Sequence, residues 1–553
     1  MARAKIARHQ APVKAAPPRF RYWPWVALAA VMIFAAAVRI RLLNIPLERD
    51  EGEFAYMGQL MLQGIPPYKL AFNMKLPGIY AAYALVMAVF GQTAAGIHLG
   101  ILVVNLAAIL MVFLLGKRLF DGYTGVVAAA AYAVMTVVPS FLGFAGHATH
   151  FVILLALCGI LVMLRAIASR KLVYYLLSGL LIGLSFVVKQ QGAFLGIFVG
   201  LFILWSGLRA RPIEPGRLVL RLALFTFGSA LPFGLTCLWL KLVGVFDQFW
   251  FWTFQYARLY ASEQSLSQGY HSFKAMVSMS ISVSKWIWAL GGIGLLILLR
   301  DKSLRGRAVF LAGFLLFSFL AVCPGMYFRE HYWILMLPAV SLLAGLGVSS
   351  GGRLLKPLIG SPWSWMVPAS ILLIVLYIPL SDSAEFLFHA SPTQAARMRY
   401  GDNPFPEAVE IAKYIKSHTS PSDRIAVIGS EPEIYFYSGR KSATGHIYMY
   451  GLTEKQAFAR KMQAEMFEQV EAARPKYVVF VGVGASFMFG AGDAGPVIYW
   501  FRNYARQNLK IVGVADILSR KFTDYIWGDK AAKYQPRSPE YILVLEQRDL
   551  TGG

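Results

Sequence analysis

Acidic side chains and cysteines are both scarce in this 553-residue chain, with 29 Asp and Glu against 53 Lys and Arg and three Cys in all. Cys158, Cys237 and Cys323 fall inside or at the ends of apolar segments, which excludes a disulfide framework in an extracytoplasmic part. The polar C-terminal part has no Gly-x-Gly-x-x-Gly or Walker pattern, so nucleotide binding is unsupported. There is no repeated half and no pair of helix breaks at matching positions, the marks of an inverted-repeat transporter. Nor does any His stand at close ligand spacing from carboxylates, so the sequence names no metal.

What is abundant is apolar. Hydrophobic residues make up 57% of the chain and the mean hydropathy is +0.54, more than one soluble core buries. The net charge of +24 sits in short segments between apolar runs, which is how membrane topology is written and is not the pattern of a nucleic-acid face. The first 22 residues contain Arg3, Lys5, Arg8, Lys14, Arg19 and Arg21 without an acid, and no small-residue cleavage pattern follows. They predict a basic cytoplasmic N-terminus before an uncleaved first helix.

About eleven crossings follow, near 23–43, 94–116, 122–140, 147–166, 172–189, 191–208, 218–243, 281–299, 307–323, 330–349 and 363–381. The run 76–91 offers only ~14 apolar residues after a Pro-Gly start, where a crossing needs ~20, and reads as an interfacial helix. Not counting it puts Lys117 and Arg118, Arg170 and Lys171, Arg209, Arg211 and Arg217, the Arg300–Arg307 cluster, and Arg353 and Lys356 on the cytoplasmic side. The outer side then receives residues 44–93, 244–280 and everything after 382. Beyond 382 the runs RIAVIG, KYVVFVGV and EYILVLE read as buried strands, with helical patterns near 405–417 and 453–473. The expected architecture is an α-helical polytopic membrane protein: a basic segment 1–22, a transmembrane domain 23–381 whose outer loop 44–93 carries interfacial helices, and an extracytoplasmic α/β domain 382–553.

Chemistry concentrates in that outer loop. The stretch LERDEGEFAYMGQLML gathers Glu48, Asp50, Glu51 and Glu53, with Phe54, Met57 and Met61 at helical spacing behind them. One reading makes Asp50 an N-cap with Glu53 completing a capping box; the other makes it a base for an acceptor hydroxyl or amine. Lys69 and Lys75 set cations opposite the acids, suited to a phosphate. Arg39 and Arg41, Lys189, Arg329, Glu330 and His331 also fall on the outer side, and Glu53, Tyr80, His271 and His331 are candidate substrate contacts. His147 and His150 read as noncatalytic. The aromatic run FDQFWFWTFQYARLYASEQ reads as an interfacial belt. The segment GSEPEIYFYSGRKSATGHIYMYG is a candidate acceptor-facing surface.

The succession RDEGEFAYMGQLMLQG, NMKLPGIYAAYALVMAVFG and LLGKRLFDG, followed by LSFVVKQQGAF and REHYWILMLPAVSLLAGLG, resembles the C-type glycosyltransferases of family 39 and the aminoarabinose-transferase group, which includes protein O-mannosyltransferases. The resemblance covers roughly residues 20–350 and is most specific over 47–120. It implies transfer of a sugar from a polyprenyl-phosphate donor to a lipid, glycan or protein acceptor at the outer face of a bacterial inner membrane, with inversion. By position it implies Asp50 and Glu51 as the catalytic pair, Asp50 being the base, and Lys75 as a donor-phosphate contact; the residue reading adds Lys69, Arg329 and Lys189 as further candidate phosphate contacts. Met74 stands where relatives often have an acid that helps bind a metal, so no cofactor is assigned and a divalent metal stays open. A secondary transporter or a noncatalytic glycolipid-binding protein is the alternative class.

Overall fold

The computed structural model describes residues 22–487 and 495–548; the basic N-terminal stretch lies outside the described residues. The chain is mostly helical and closes with a small sheet domain. Each of the eleven expected crossings is a helix. Seven of these helices are long and apolar enough to cross a membrane, and an eighth follows if Leu266–Ile281 and Lys285–Arg300, bent by 104° at a short break, form one span. The chain is a multi-pass membrane protein.

The first helix, α1 (Trp23–Arg41), ends in two arginines. Arg39 donates to the Thr136 carbonyl at 2.9 Å. Arg41 spreads its guanidinium over the carbonyls of Phe386, Leu387 and Ala390 at 2.6–2.7 Å, the exposed acceptors at the end of the helical turn Glu385–His389. Both residues are therefore structural ties. Helix α2 (Arg49–Leu62) opens on Glu48, whose carboxylate accepts from Glu51 N at 3.1 Å while the Glu51 carboxylate accepts from Glu48 N at 3.2 Å. The expected capping box is thus present, shifted two residues toward the N-terminus, which frees Asp50 from capping. Helix α3 (Pro77–Phe90) is about 21 Å long, too short to cross, and leaves Leu85 and Val89 exposed. Helix α4 (Ala94–Leu119) has Thr93 as its cap and Lys117 and Arg118 in its last turn.

One end of the bundle collects the basic connections. Lys117 lies over the Trp25 ring at 4.7 Å, Arg307 over Phe120 at 5.4 Å, and Arg353 pairs with Asp121 at 3.6 Å. The helix expected at 330–349 runs instead over Leu337–Ile359. Residues 324–336 before it are taken up by short turns, because Gly325, Met326 and Phe328 adopt left-handed backbone and Pro338 sits in the first turn.

The sheet has six strands, β1 (Arg424–Ile428), β2 (Lys441–Ser442), β3 (Tyr477–Gly482), β4 (Leu509–Ser519), β5 (Phe522–Trp527) and β6 (Tyr541–Gln547), in the order β2-β1-β3-β6-β4-β5. The first three are parallel, and the remaining pairings are antiparallel. The three apolar runs seen in sequence are β1, β3 and β6. The hairpin β4–β5 escapes that reading because charged residues interrupt it. One of them, Asp516, is fully buried and accepts from Tyr534 Oη at 2.7 Å and from the backbone of Arg537 and Ser538. Helices Phe405–Ser417 and Ala459–Ala473 match the two helical patterns, the second starting six residues later than expected behind a separate turn, Tyr450–Thr453.

Helix α2 lies between α3 and the sheet domain. A Cβ on Gly58 would meet the Ala84 backbone at 2.9 Å, and one on Gly52 would meet Glu433 Cβ at 2.6 Å. Arg49 donates to the Ser430 carbonyl at 2.5 Å and to Glu431 at 2.8 Å, Tyr56 Oη accepts from Ser442 N, and Leu47 N donates to Tyr437 Oη. These contacts fix the first turn of α2 against the C-terminal domain.

Candidate active site

At the first turn of α2 lies a cavity of about 400 Å³. Its floor comes from Asp50, Lys75 and His147, its side from Arg329 to Tyr332, and its roof from Tyr448, Tyr450 and Glu454 of the sheet domain. Asp50 has its side chain 18% exposed, with Oδ1 3.7 Å from Lys75 Nζ and Oδ2 3.7 Å from His147 Nδ1. Tyr448 Oη donates to Oδ1 at 3.4 Å. Lys189 joins Asp50, Lys75, His147 and His331 around a smaller recess in the floor, its ammonium 4.2 Å from the centre of the Tyr332 ring. Arg329 donates to Tyr260 Oη at 3.1 Å.

Burial alone would raise the Asp50 carboxyl, but the charges of Lys75 and the other cations around it outweigh this and hold it at about 2. Burial opposes the charge of Lys75, yet Asp50 and Glu53 raise its pKa above the usual ammonium range. Burial lowers Lys189 instead, reinforced by Lys75. His147 falls to about 4, chiefly through burial, so its ring is neutral at pH 7. Asp50 therefore faces a fixed cation on one oxygen and a neutral imidazole on the other.

The neighbouring acids do other things. Glu51, 1% exposed, points away from Asp50: its Oε1 accepts from Gly146 N at 2.6 Å and lies 3.1 Å from His98 Nε2. Glu51 does not line the cavity that Asp50 faces. Glu53 is fully buried and accepts from Tyr80 Oη at 2.8 Å; burial lifts its carboxyl to about 8. Neither Glu53 nor Tyr80 lines the cavity. Lys69 is exposed outside it, and His271 is exposed on the helix Leu266–Met276. Of the sequence-derived candidates, Asp50, Lys75, Lys189, Arg329 and His331 come together.

His147 reads as noncatalytic in the sequence, whereas Tyr448 and Tyr450 belong to the segment GSEPEIYFYSGRKSATGHIYMYG, the candidate acceptor-facing surface, and do line the cavity. His147 stacks on His331 with ring centres 3.9 Å apart, and its Nε2 is buried with no hydrogen-bond partner among the described residues. Donor atoms of Asp50, His147 and His331 lie within 4.8 Å of one another. One carboxylate and two imidazoles suit a first-row divalent ion, so the residues fit a metal even though Met74 supplies no ligand.

The fold and site together define a multi-pass membrane protein with its candidate active site where the membrane helices meet the sheet domain, a fold shared with solved structures of ArnT and an archaeal oligosaccharyltransferase. The family described as Dolichyl-phosphate-mannose-protein mannosyltransferase matches residues 75–233. ArnT from Cupriavidus metallidurans bound to undecaprenyl phosphate has a similar structure, with 14% identity and a TM-score of 0.58 over 96% of this chain and 100% of that one. The Archaeoglobus fulgidus oligosaccharyltransferase tethered with an acceptor peptide is also similar, with 13% identity and a TM-score of 0.52 over 92% of this chain and 74% of that one. So is AglB from the same organism in complex with an inhibitory peptide and a dolichol-phosphate, at 14% identity and a TM-score of 0.51 over 93% and 75%. No curated protein matches the chain by sequence.

Proposed function

We propose that this chain is a glycosyltransferase that moves a sugar from a polyprenyl-phosphate donor to a lipid, glycan or protein acceptor, with inversion, at the outer face of a bacterial inner membrane. The observation that carries the reading is the Asp50 carboxylate set 3.7 Å from Lys75 in a cavity at the junction of membrane helices and sheet domain. The likeness to structures holding undecaprenyl phosphate and dolichol-phosphate supports a lipid-linked donor. On this reading the sheet domain, residues 382–553, is extracytoplasmic and residues 23–381 form the membrane domain.

Asp50 takes the proton of the acceptor hydroxyl or amine as that atom attacks the anomeric carbon from the face opposite the phosphate. The bond between the anomeric carbon and the phosphate oxygen breaks, and its electron pair leaves on the phosphate, where Lys75, Arg329 and Lys189 stabilise it. Phosphate is a good leaving group, so no acid need protonate it. Cations that hold Asp50 near 2 also make it a weak base in the free protein. An anionic donor offsets those charges, and Asp50 gains basicity only when the donor is present. Glu51 holds the helix turn in place and does not touch the reacting atoms. Asp50, His147 and His331 would hold a divalent ion, which would supply further positive charge beside the phosphate.

The test is release of polyprenyl phosphate from a panel of polyprenyl-phosphate sugars in reconstituted membranes with envelope acceptors. Folded Asp50→Asn should lose ~10²–10⁴-fold in turnover, the range of general-base contributions. Undiminished turnover in that variant would remove Asp50 from the chemistry, and no release from any donor by the wild type would overturn the transferase reading.

A further inference from the structure

A second cavity, of about 270 Å³, lies beside the first, between the segment after the helix Pro215–Leu242 and the helix Ala459–Ala473 of the sheet domain. The two cavities share Phe72 and Trp252 as a common wall. These rings stack with centres 5.7 Å apart at 23°, and His446 sets its edge against both, 5.4 Å from Phe72 and 5.9 Å from Trp252. His446 is 2% exposed, its Nδ1 has no hydrogen-bond partner among the described residues, and its Nε2 lies 3.3 Å from Glu465, a residue of the second cavity. The wall is built in place: Phe72 N donates to the Gly445 carbonyl at 2.7 Å, and a Cβ on Gly445 would collide with the Phe72 ring at 2.2 Å.

The other walls add Phe251 and Phe458, edge to face at 5.0 Å. Between the rings stand Asp247, Gln248, Lys461 and Glu465. Aromatic faces beside carboxylates, an amide and an ammonium match a sugar ring, which has C–H faces for the rings and a belt of hydroxyls for the polar groups. An alkyl chain would offer nothing to Asp247, Gln248 and Lys461, and an anionic ligand would meet the carboxylates of Asp247 and Glu465.

We propose that this second cavity is a saccharide subsite for the acceptor, with the Phe72–Trp252 wall dividing it from the reaction cavity. The acceptor is then a glycan, free or carried on a lipid. The assignment rests on the transferase reading for its role, but the binding itself is separable from turnover.

The test uses the full chain in lipid nanodiscs and saturation-transfer NMR with maltotetraose, cellotetraose and mannotetraose, for the wild type, Asp50→Asn, Phe458→Ala and Lys461→Ala. At least one tetrasaccharide should bind the wild type and Asp50→Asn alike and bind about tenfold more weakly to the other two variants. Lys461 is exposed, so its truncation spares the fold where Phe458→Ala disturbs it. Binding of none of the three sugars, or binding that survives Lys461→Ala, would overturn the subsite. A tetrasaccharide on a dodecyl chain that binds tighter than the free sugar marks a membrane-borne acceptor, and equal affinity marks a free glycan. Loss of turnover chemistry with sugar binding intact would refute the transferase reading alone.

Discussion

Asp50 and Lys75 are the residues whose relation was legible before folding, because they stand in one loop of a chain otherwise poor in acids. His147 is 97 residues from Asp50 and Tyr448 is 398, and neither has a local pattern that ties it to the loop. Adjacency misled in one respect: Glu51 stands beside Asp50 in sequence and is turned to Gly146 and His98 in space. Glu53 offers a test of burial at this scale. Its carboxyl titrates near 4.5 when exposed and at about 8 in the fold, so the folded chain holds a proton that the unfolded chain releases. That contribution to stability is complete below 4.5 and is lost as the pH rises through about 8. Thermal unfolding of the wild type should therefore fall in midpoint across that window, whereas Glu53→Gln, which keeps an acceptor for Tyr80, should show a flatter profile. Identical profiles would show that Glu53 titrates normally.

Helix α2 is the element on which the site depends, since it carries Asp50, the proposed base, on one side and docks the sheet domain on another. Its existence was readable from the spacing of Phe54, Met57 and Met61, but its start was not: Asp50 is the better cap by residue type, yet the helix starts on Glu48, whose capping-box partner Glu51 is also held by Gly146 and His98. Gly52 shows how closely the docking is fitted. Gly52→Ala places a methyl group 2.6 Å from Glu433 Cβ and 2.7 Å from its backbone nitrogen, which rigid backbone cannot yield to cheaply. We expect a loss of about 1–3 kcal/mol in stability, together with faster proteolysis between the membrane helices and the sheet domain. Turnover should drop in the same variant although no cavity residue has changed. Wild-type proteolysis and turnover in Gly52→Ala would mean that the two parts are not held through α2.

In the molecule as a whole, composition and charge distribution announced a polytopic protein, and the apolar runs announced its helices. The hairpin β4–β5 was hidden because charged residues interrupt its apolar pattern, and the bend at Ile281–Lys285 carries no Pro or other breaker in the sequence. The proposed sidedness has a direct check once Cys158, Cys237 and Cys323 are replaced by alanine. A cysteine at Lys521 should react with a membrane-impermeant maleimide in intact cells, and one at Arg300 only after lysis; the reverse pattern would invert the topology. Finally, the cavity takes its floor from residue 50 and its roof from residues as late as 454, while Arg41 and Arg49 clasp partners more than 340 positions downstream. During synthesis the membrane helices are threaded long before those partners leave the ribosome. On the proposed reading the chain therefore spends most of its own manufacture inserted but without its cavity roof, and a message cut short ahead of the sheet domain would yield a product that occupies the membrane without a complete site.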